Sequence, residues 1–252
     1  MAARLDAYNA YEYRPLYRWG SCFGGNSGTV DQACLALAPG KKNVLLWGDS
    51  FAAQYAYGLR KTIDPQAVNL LQATEPACMP TLSVSAQGVA SCRNLAAQME
   101  TYLRDHKPDL VILSADWLEY SRPPRFPSMI SDLRKTIQLL TTSGIHSVLL
   151  GPSIQFRTRL PSMLARAHLR GIDPHPDDLL LRDIFVADHA MKSALPEIEG
   201  FSFVSVIDHA CPQRQCPLMI GDVPLSWDYA HLTAEGSAYV IESLIPALAV
   251  GD

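Results

Sequence analysis

The chain has 252 residues, 48% hydrophobic and 18% charged, which suits one α/β domain with a full core better than two small ones. A net charge of -4 without any Lys/Arg cluster argues against a nucleic-acid partner. No apolar run reaches the roughly 18 residues of a membrane span, and the opening residues read as polar linker with no secretion-signal pattern.

Residues 1 to about 40 form an extended lead-in that stands outside the pattern that follows, and 41–252 read as the working domain. From there, short apolar runs alternate with helical periodicity. "NVLLWG" (43–48) reads as a buried strand and "SFAAQYAYGLRKTI" (50–63) as a helix. "AVNLLQA" (67–73) is a second strand, followed by a helix over 93–106 with Leu95, Met99, Tyr102 and Leu103 on one face. "DLVILSA" (109–115) is the third strand, and the next helix, 127–144, stops at Gly144. "SVLLGPS" (147–153) is the fourth strand, followed by a long Pro- and Arg-containing connection over 153–176. A helix over 177–195, a fifth strand over 201–208 and a closing helix over 233–249 complete the chain. Continuous apolar strands alternating with amphipathic helices predict a three-layer α/β/α sandwich. Its five-stranded parallel sheet is flavodoxin-like, with the ligand site at the carboxyl ends of the strands.

The six cysteines fall in sequence-close pairs, Cys22 with Cys34, Cys78 with Cys92 and Cys211 with Cys216, flanked by Pro, Gly and Ser. That pattern favours disulfides that staple loops, hence an oxidising compartment, although other pairings are open. A metal site is the weaker reading, since no spacing is Cys-x-x-Cys and the histidines do not cluster beside the cysteines.

Gly48-Asp49-Ser50 falls at the end of the first strand. Glycine permits a sharp turn, and serine caps a helix well, so the simplest reading is a structural corner with Asp49 bracing it. The same corner also exposes a serine in the cleft, with its own N–H and a helix start available to a developing oxyanion. A serine needs a base, and "SWDYAHLTAEG" supplies one near the end of the chain. Asp228 and His231 face the same way in a turn, so Asp228 can hold one imidazole nitrogen while the other points at Ser50. Thr233 caps the closing helix.

"GDSFAAQ" followed by "DYAHLT" resembles the SGNH/GDSL hydrolase superfamily. Within it the chain is most similar to the extracytoplasmic SGNH domains fused to membrane acyltransferase-3 proteins, which O-acetylate bacterial surface polysaccharides such as lipopolysaccharide O-antigen. The Asp-x-x-His-Leu-Thr form, the cysteine pairs and the "YRPLYRWGSCF" lead-in fit that group. The resemblance implies Ser50 as the acyl-carrying nucleophile, with His231 and Asp228 completing a triad and no metal or redox cofactor. It also implies a polysaccharide acceptor, an acyl donor delivered by a membrane acyltransferase domain, and a periplasmic location tethered to the inner membrane. A secreted carbohydrate acetylesterase and a non-catalytic glycan-binding module on the same fold are the alternatives.

The family's oxyanion donors are less plain. Beside the Ser50 N–H it uses a Gly in a second block and an Asn in a Gly-x-Asn-Asp block. Here the third strand runs into "SADWLEY", which puts Asp116 near the place of that Asn. Gly88 and Asn94 are the candidate replacements, with a loop and a helix cap as their bland readings. Gln54, one turn after Ser50, and Trp117 and Trp227, beside the inferred cleft, are candidate substrate contacts. Core packing is the commoner fate of Trp. Arg157, Arg159 and Arg166 in the long connection could meet an anionic glycan.

Overall fold

The computed structural model describes residues 5–82, 89–195, 197–248 and 250. Five strands, β1 (Lys42–Gly48), β2 (Val68–Thr74), β3 (Leu110–Ser114), β4 (His146–Leu150) and β5 (Phe201–Val204), form one sheet in the order β2-β1-β3-β4-β5. Every neighbouring pair is parallel. This is the flavodoxin-like order, and its direction reverses between β1 and β3, where Gly48 lies level with Ser114.

The apolar strand runs are continuous because both faces are covered. Val44 and Leu46 of β1 join Ile112, Val148 and Leu150 in one core. There they meet the helices α3 (Tyr55–Thr62) and α11 (Ala234–Leu248). Leu45 and Trp47 face the other way, with Val111, Leu113 and Leu149. They pack under α4 (Ala90–Asp105) and α6 (Phe126–Thr142). Leu46 is fully buried, so Leu46→Ala carries a cost of about 2–5 kcal/mol. Gly58 permits close packing of α3 on α11, since a Cβ there would overlap the Ser237 carbonyl.

Several expected elements divide. The helix expected over 50–63 is two, α2 (Ser50–Ala53) and α3, meeting at Gln54. The segment 177–195 likewise gives α8 (Pro176–Leu179) and α9 (Asp183–Ala194). The connection after β4 holds α7 (Leu160–Leu169). The fifth strand stops at Val204 because the Ser205 hydroxyl accepts the Asp208 N–H at 3.1 Å and starts α10 (Val206–Ala210). A small antiparallel hairpin, β6 (Met219–Ile220) and β7 (Val223–Pro224), precedes α11.

The described part of the lead-in, from residue 5, is docked on the domain at several points. It carries α1 (Arg14–Tyr17), and Phe23 makes a parallel bridge to Thr74 at the end of the edge strand β2. Tyr17 and Phe23 are buried with Ala53 of α2. Disulfides join Cys22 to Cys34, Cys78 to Cys92 and Cys211 to Cys216, as the local pairing predicts. No described helix is long and apolar enough to cross a membrane.

Candidate active site

The site is built where β1 and β3 end. Gly48 has φ +153° and a Cβ on it would overlap the Ser114 carbonyl, so only glycine fits this close approach between the two strands. The chain then turns at Asp49, whose buried side chain accepts from the Phe51 N–H at 2.8 Å and caps α2. Its other oxygen accepts from the Asp116 N–H at 3.0 Å and the Tyr120 hydroxyl at 3.2 Å, which ties the β1 corner to the start of α5 (Trp117–Tyr120). Burial pushes the Asp49 carboxyl up to about 7, against the three hydrogen bonds that favour its ionised form.

Ser50 opens α2, and the His231 Nε2 lies 2.9 Å from its Oγ. The His231 Nδ1 lies 2.8 Å from Asp228 Oδ2. Asp228 Oδ1 accepts the N–H groups of Ala230 and His231, both at 2.7 Å. Burial raises the Asp228 carboxyl, but the imidazole hydrogen bond, its charge and the two amides outweigh that and leave it below the ordinary carboxylate range. The loop is a short hairpin, with Ser226 bridged to Leu232 and the Trp227 N–H donating to the His231 carbonyl at 2.9 Å. Thr233 is buried and its hydroxyl accepts the Gly236 N–H at 3.1 Å, which fixes the start of α11.

The sequence brought Ser50, Asp228 and His231 forward, and the fold brings their side chains into one hydrogen-bonded chain. Other candidates sit elsewhere. Gln54 does not face a cleft: it is buried, its Oε1 accepts the Leu232 N–H at 2.9 Å and its Nε2 donates to Ser153 at 3.1 Å. Trp117 is fully buried and donates to the Leu150 carbonyl at 2.7 Å, so it is a core residue. Asn94 lies on an exposed face of α4, one turn inside the helix, so it neither caps the helix nor reaches Ser50 through any described contact. Gly88 lies outside the described residues. Trp227 is half-buried and stacks on His231, with ring centres 5.5 Å apart. Arg159 turns inward to the carbonyls of Tyr8 and Trp227, both at 3.4 Å, and Arg157 toward the Leu180 carbonyl. Arg166 is exposed.

Asp116 does stand at the end of β3, but as a hydrogen-bond acceptor. It takes the Gln155 amide at 2.9 Å and feels the charge of His231. Burial holds its carboxyl above the ordinary range, against the Gln155 and Glu119 N–H donors. Gln155 and Tyr120 were not singled out from the sequence, since nothing local marks a buried glutamine or a half-buried tyrosine as partners of distant carboxylates. Among the described residues no group of three or more His, Cys, Asp or Glu is arranged to hold a metal.

The family model described as "SGNH domain (fused to AT3 domains)" matches residues 21–246. The chain belongs to this SGNH family. Among solved structures, the periplasmic domain of a Salmonella ser. Paratyphi A lipopolysaccharide acetyltransferase matches with a TM-score of 0.80 and 21% identity, over 97% of each chain. A putative platelet activating factor from Streptococcus pneumonia matches with a TM-score of 0.53 and 15% identity, over 86% of this chain and 88% of that one. At these identities the likeness establishes the shared fold. No curated protein matches the sequence.

Proposed function

We propose that the chain is the extracytoplasmic catalytic domain of an O-acyltransferase that acetylates hydroxyl groups of a bacterial surface polysaccharide. The observation that carries this is the continuous chain from Ser50 Oγ to His231 to Asp228, with links of 2.9 and 2.8 Å. His231 Nε2 takes the hydroxyl proton as Ser50 Oγ bonds to the acetyl carbon, and Asp228 holds the imidazolium that results. The proton then goes to the departing donor group, which leaves an acetyl-serine. A glycan hydroxyl gives its proton to His231 as its oxygen bonds to the acetyl carbon. The bond to Oγ breaks and the proton returns to Ser50.

The oxyanion has one evident donor, the Ser50 N–H, which the cap at Asp49 leaves without a partner among the described residues. The Asp116 carboxylate, where the family places an Asn, adds none. A hole with few donors and a negative neighbour suits a domain that passes an acyl group to a sugar and hydrolyses it slowly. The fusion stated for the family supports delivery of the donor by a membrane acyltransferase domain, and the three disulfides fit a periplasmic setting.

The test is isotope-labelled acetyl transfer. The protein is acylated with labelled p-nitrophenyl acetate and then offered O-antigen polysaccharide or buffer alone. The reading expects label on the polysaccharide and no acylation of Ser50→Ala. Release of all label as free acetate would establish an esterase. Glycan binding without labelling of Ser50 by a fluorophosphonate would establish a binding module.

A further inference from the structure

Two edges of the His231 ring are held by hydrogen bonds, but its faces are held by other rings. Trp227 stacks on it at 5.5 Å with 18° between planes, and Phe51 approaches at 4.9 Å with a 48° tilt. Trp227 is itself stacked by two lead-in residues. Tyr13 lies 5.0 Å away and is 5° from parallel, and Tyr11 lies 6.0 Å away at 18°. Tyr8 continues the column at 5.8 Å from Tyr11.

The backbone follows the same path. The Tyr11 hydroxyl accepts the Ala234 N–H at 2.8 Å, at the first residue of α11 and three positions after His231. Arg159 bridges the carbonyls of Tyr8 and Trp227. The lead-in is in turn anchored to the sheet: the Gly24 N–H donates to the Thr74 carbonyl at 2.9 Å and Gln72 donates to the Tyr17 carbonyl at 2.9 Å. Hydrogen bonds fix the loop backbone and both ring nitrogens, and the rings packed on the two faces of the imidazole limit its tilt about them.

We propose that Tyr11 and Tyr13 of the lead-in are positioning residues for His231, acting through the Trp227 ring. The proposal rests on the triad reading above. Stacked aromatic pairs contribute about 0.5–1.5 kcal/mol beyond their burial, and the Trp227 face also lies within cation–π range of the imidazolium formed when Ser50 is deprotonated. The segment through which this domain would join a membrane domain is thereby part of the wall of its own active site. Strain on that segment would reach the base through three rings.

The experiment compares Tyr13→Leu, Tyr13→Phe and Trp227→Leu in the whole chain, with fold checked by circular dichroism and melting temperature. Labelling of Ser50 by a fluorophosphonate is resolved into its maximal rate and its half-saturating concentration. Misplacement of a catalytic group by about 1 Å costs on the order of a hundredfold. The expectation is a maximal rate lower by about ten- to a hundredfold in Trp227→Leu and at least about fivefold in Tyr13→Leu, at nearly unchanged half-saturation. Tyr13→Phe, which keeps the ring, restores the wild-type rate. In parallel, NMR follows the His231 ring protons, which the Trp227 ring current displaces upfield. That displacement disappears in Trp227→Leu, shrinks in Tyr13→Leu and persists in Tyr13→Phe.

A folded Tyr13→Leu protein with a maximal rate within twofold of wild type and unmoved His231 signals would overturn the proposal. So would a Tyr13→Phe protein as impaired as Tyr13→Leu. If Tyr13→Leu does not fold, Tyr13→Met, which keeps apolar bulk without a ring, takes its place under the same criteria. If the wild-type protein is not labelled at all, the triad reading fails, and the NMR signals alone decide the positioning claim.

Discussion

Gln54 Oε1 accepts the Leu232 N–H at 2.9 Å, so the residue that breaks the first helix after β1 also holds the loop that carries His231. Ser50 and His231, the proposed nucleophile and base, are 181 residues apart in sequence and share this support. Gln54→Leu leaves the Leu232 amide and the Ser153 hydroxyl buried without their partner, at a cost of about 1–3 kcal/mol. We expect a lower melting temperature and Ser50 acylation slowed by about tenfold or more, because the loop moves relative to Ser50. Normal acylation in a protein with the lower melting temperature would reduce Gln54 to a stability role.

Asp116 is the residue to exchange for an amide. Asp116→Asn keeps the size and the backbone N–H to Asp49 while it turns a carboxyl at the end of β3 into an amide that can donate. One oxyanion donor is worth about a hundredfold or more in established sites, and a less ideal geometry about tenfold. Hydrolysis of an aryl acetate is therefore expected to rise in Asp116→Asn, with transfer to glycan rising less. Unchanged or reduced hydrolysis would remove Asp116 from the proposed preference for a glycan over water.

Asp49 gives the fold a pH signature. Its folded carboxyl titrates at about 7, above the roughly 3.9 of an unfolded Asp, so the folded state binds the extra proton between those values. Its contribution is present in full below about pH 4 and is lost as pH rises through about 7. Asp228 has the opposite sign: its lowered pKa contributes above the unfolded value and is lost as pH falls into the acid range. Melting temperature measured from pH 4 to 8 is expected to show a declining component that Asp49→Asn flattens, although the variant is less stable at every pH because it misplaces an NH2 against donors. An unaltered slope in Asp49→Asn would show that Asp49 stays ionised throughout.

The sheet was legible because its signal is local: 44–47 and 110–113 are apolar without interruption, as strands buried on both faces read. The serine corner and the Asp-x-x-His loop were legible for the same reason, each being a short spacing with its own chemistry. What local pattern could not show was direction. Gln54 and Trp117 lie next to site residues in sequence, yet both side chains turn into the core, where Ser153, Leu232 and Leu150 meet them from distant elements. The lead-in was the least legible part, since Tyr8, Tyr11 and Tyr13 show neither strand nor helix period. Their role appears only when Trp227 arrives from the other end of the chain.

The Cys22–Cys34 disulfide closes a loop within that lead-in where it packs against the sheet. Both cysteines are buried in the same core as Leu45 and Trp47, and the bond closes a loop of sequence separation 12. Constraint of a loop of that size contributes about 3 kcal/mol in the chain-entropy account. For a chain of this length that corresponds to a melting temperature about 6–12 °C higher than without the bond. The double substitution Cys22→Ser, Cys34→Ser also buries two hydroxyls, so the comparison is made with Cys22→Ala, Cys34→Ala. Because Cys22 adjoins Phe23 and the Thr74 N–H donates to the Cys22 carbonyl at 3.1 Å, the loss is expected first in the lead-in. Amide exchange should accelerate at 22–24 and along 11–17 before it does in β1 or β3. Uniform acceleration across the sheet would mean that the disulfide stabilises the whole domain and not the strap that reaches His231.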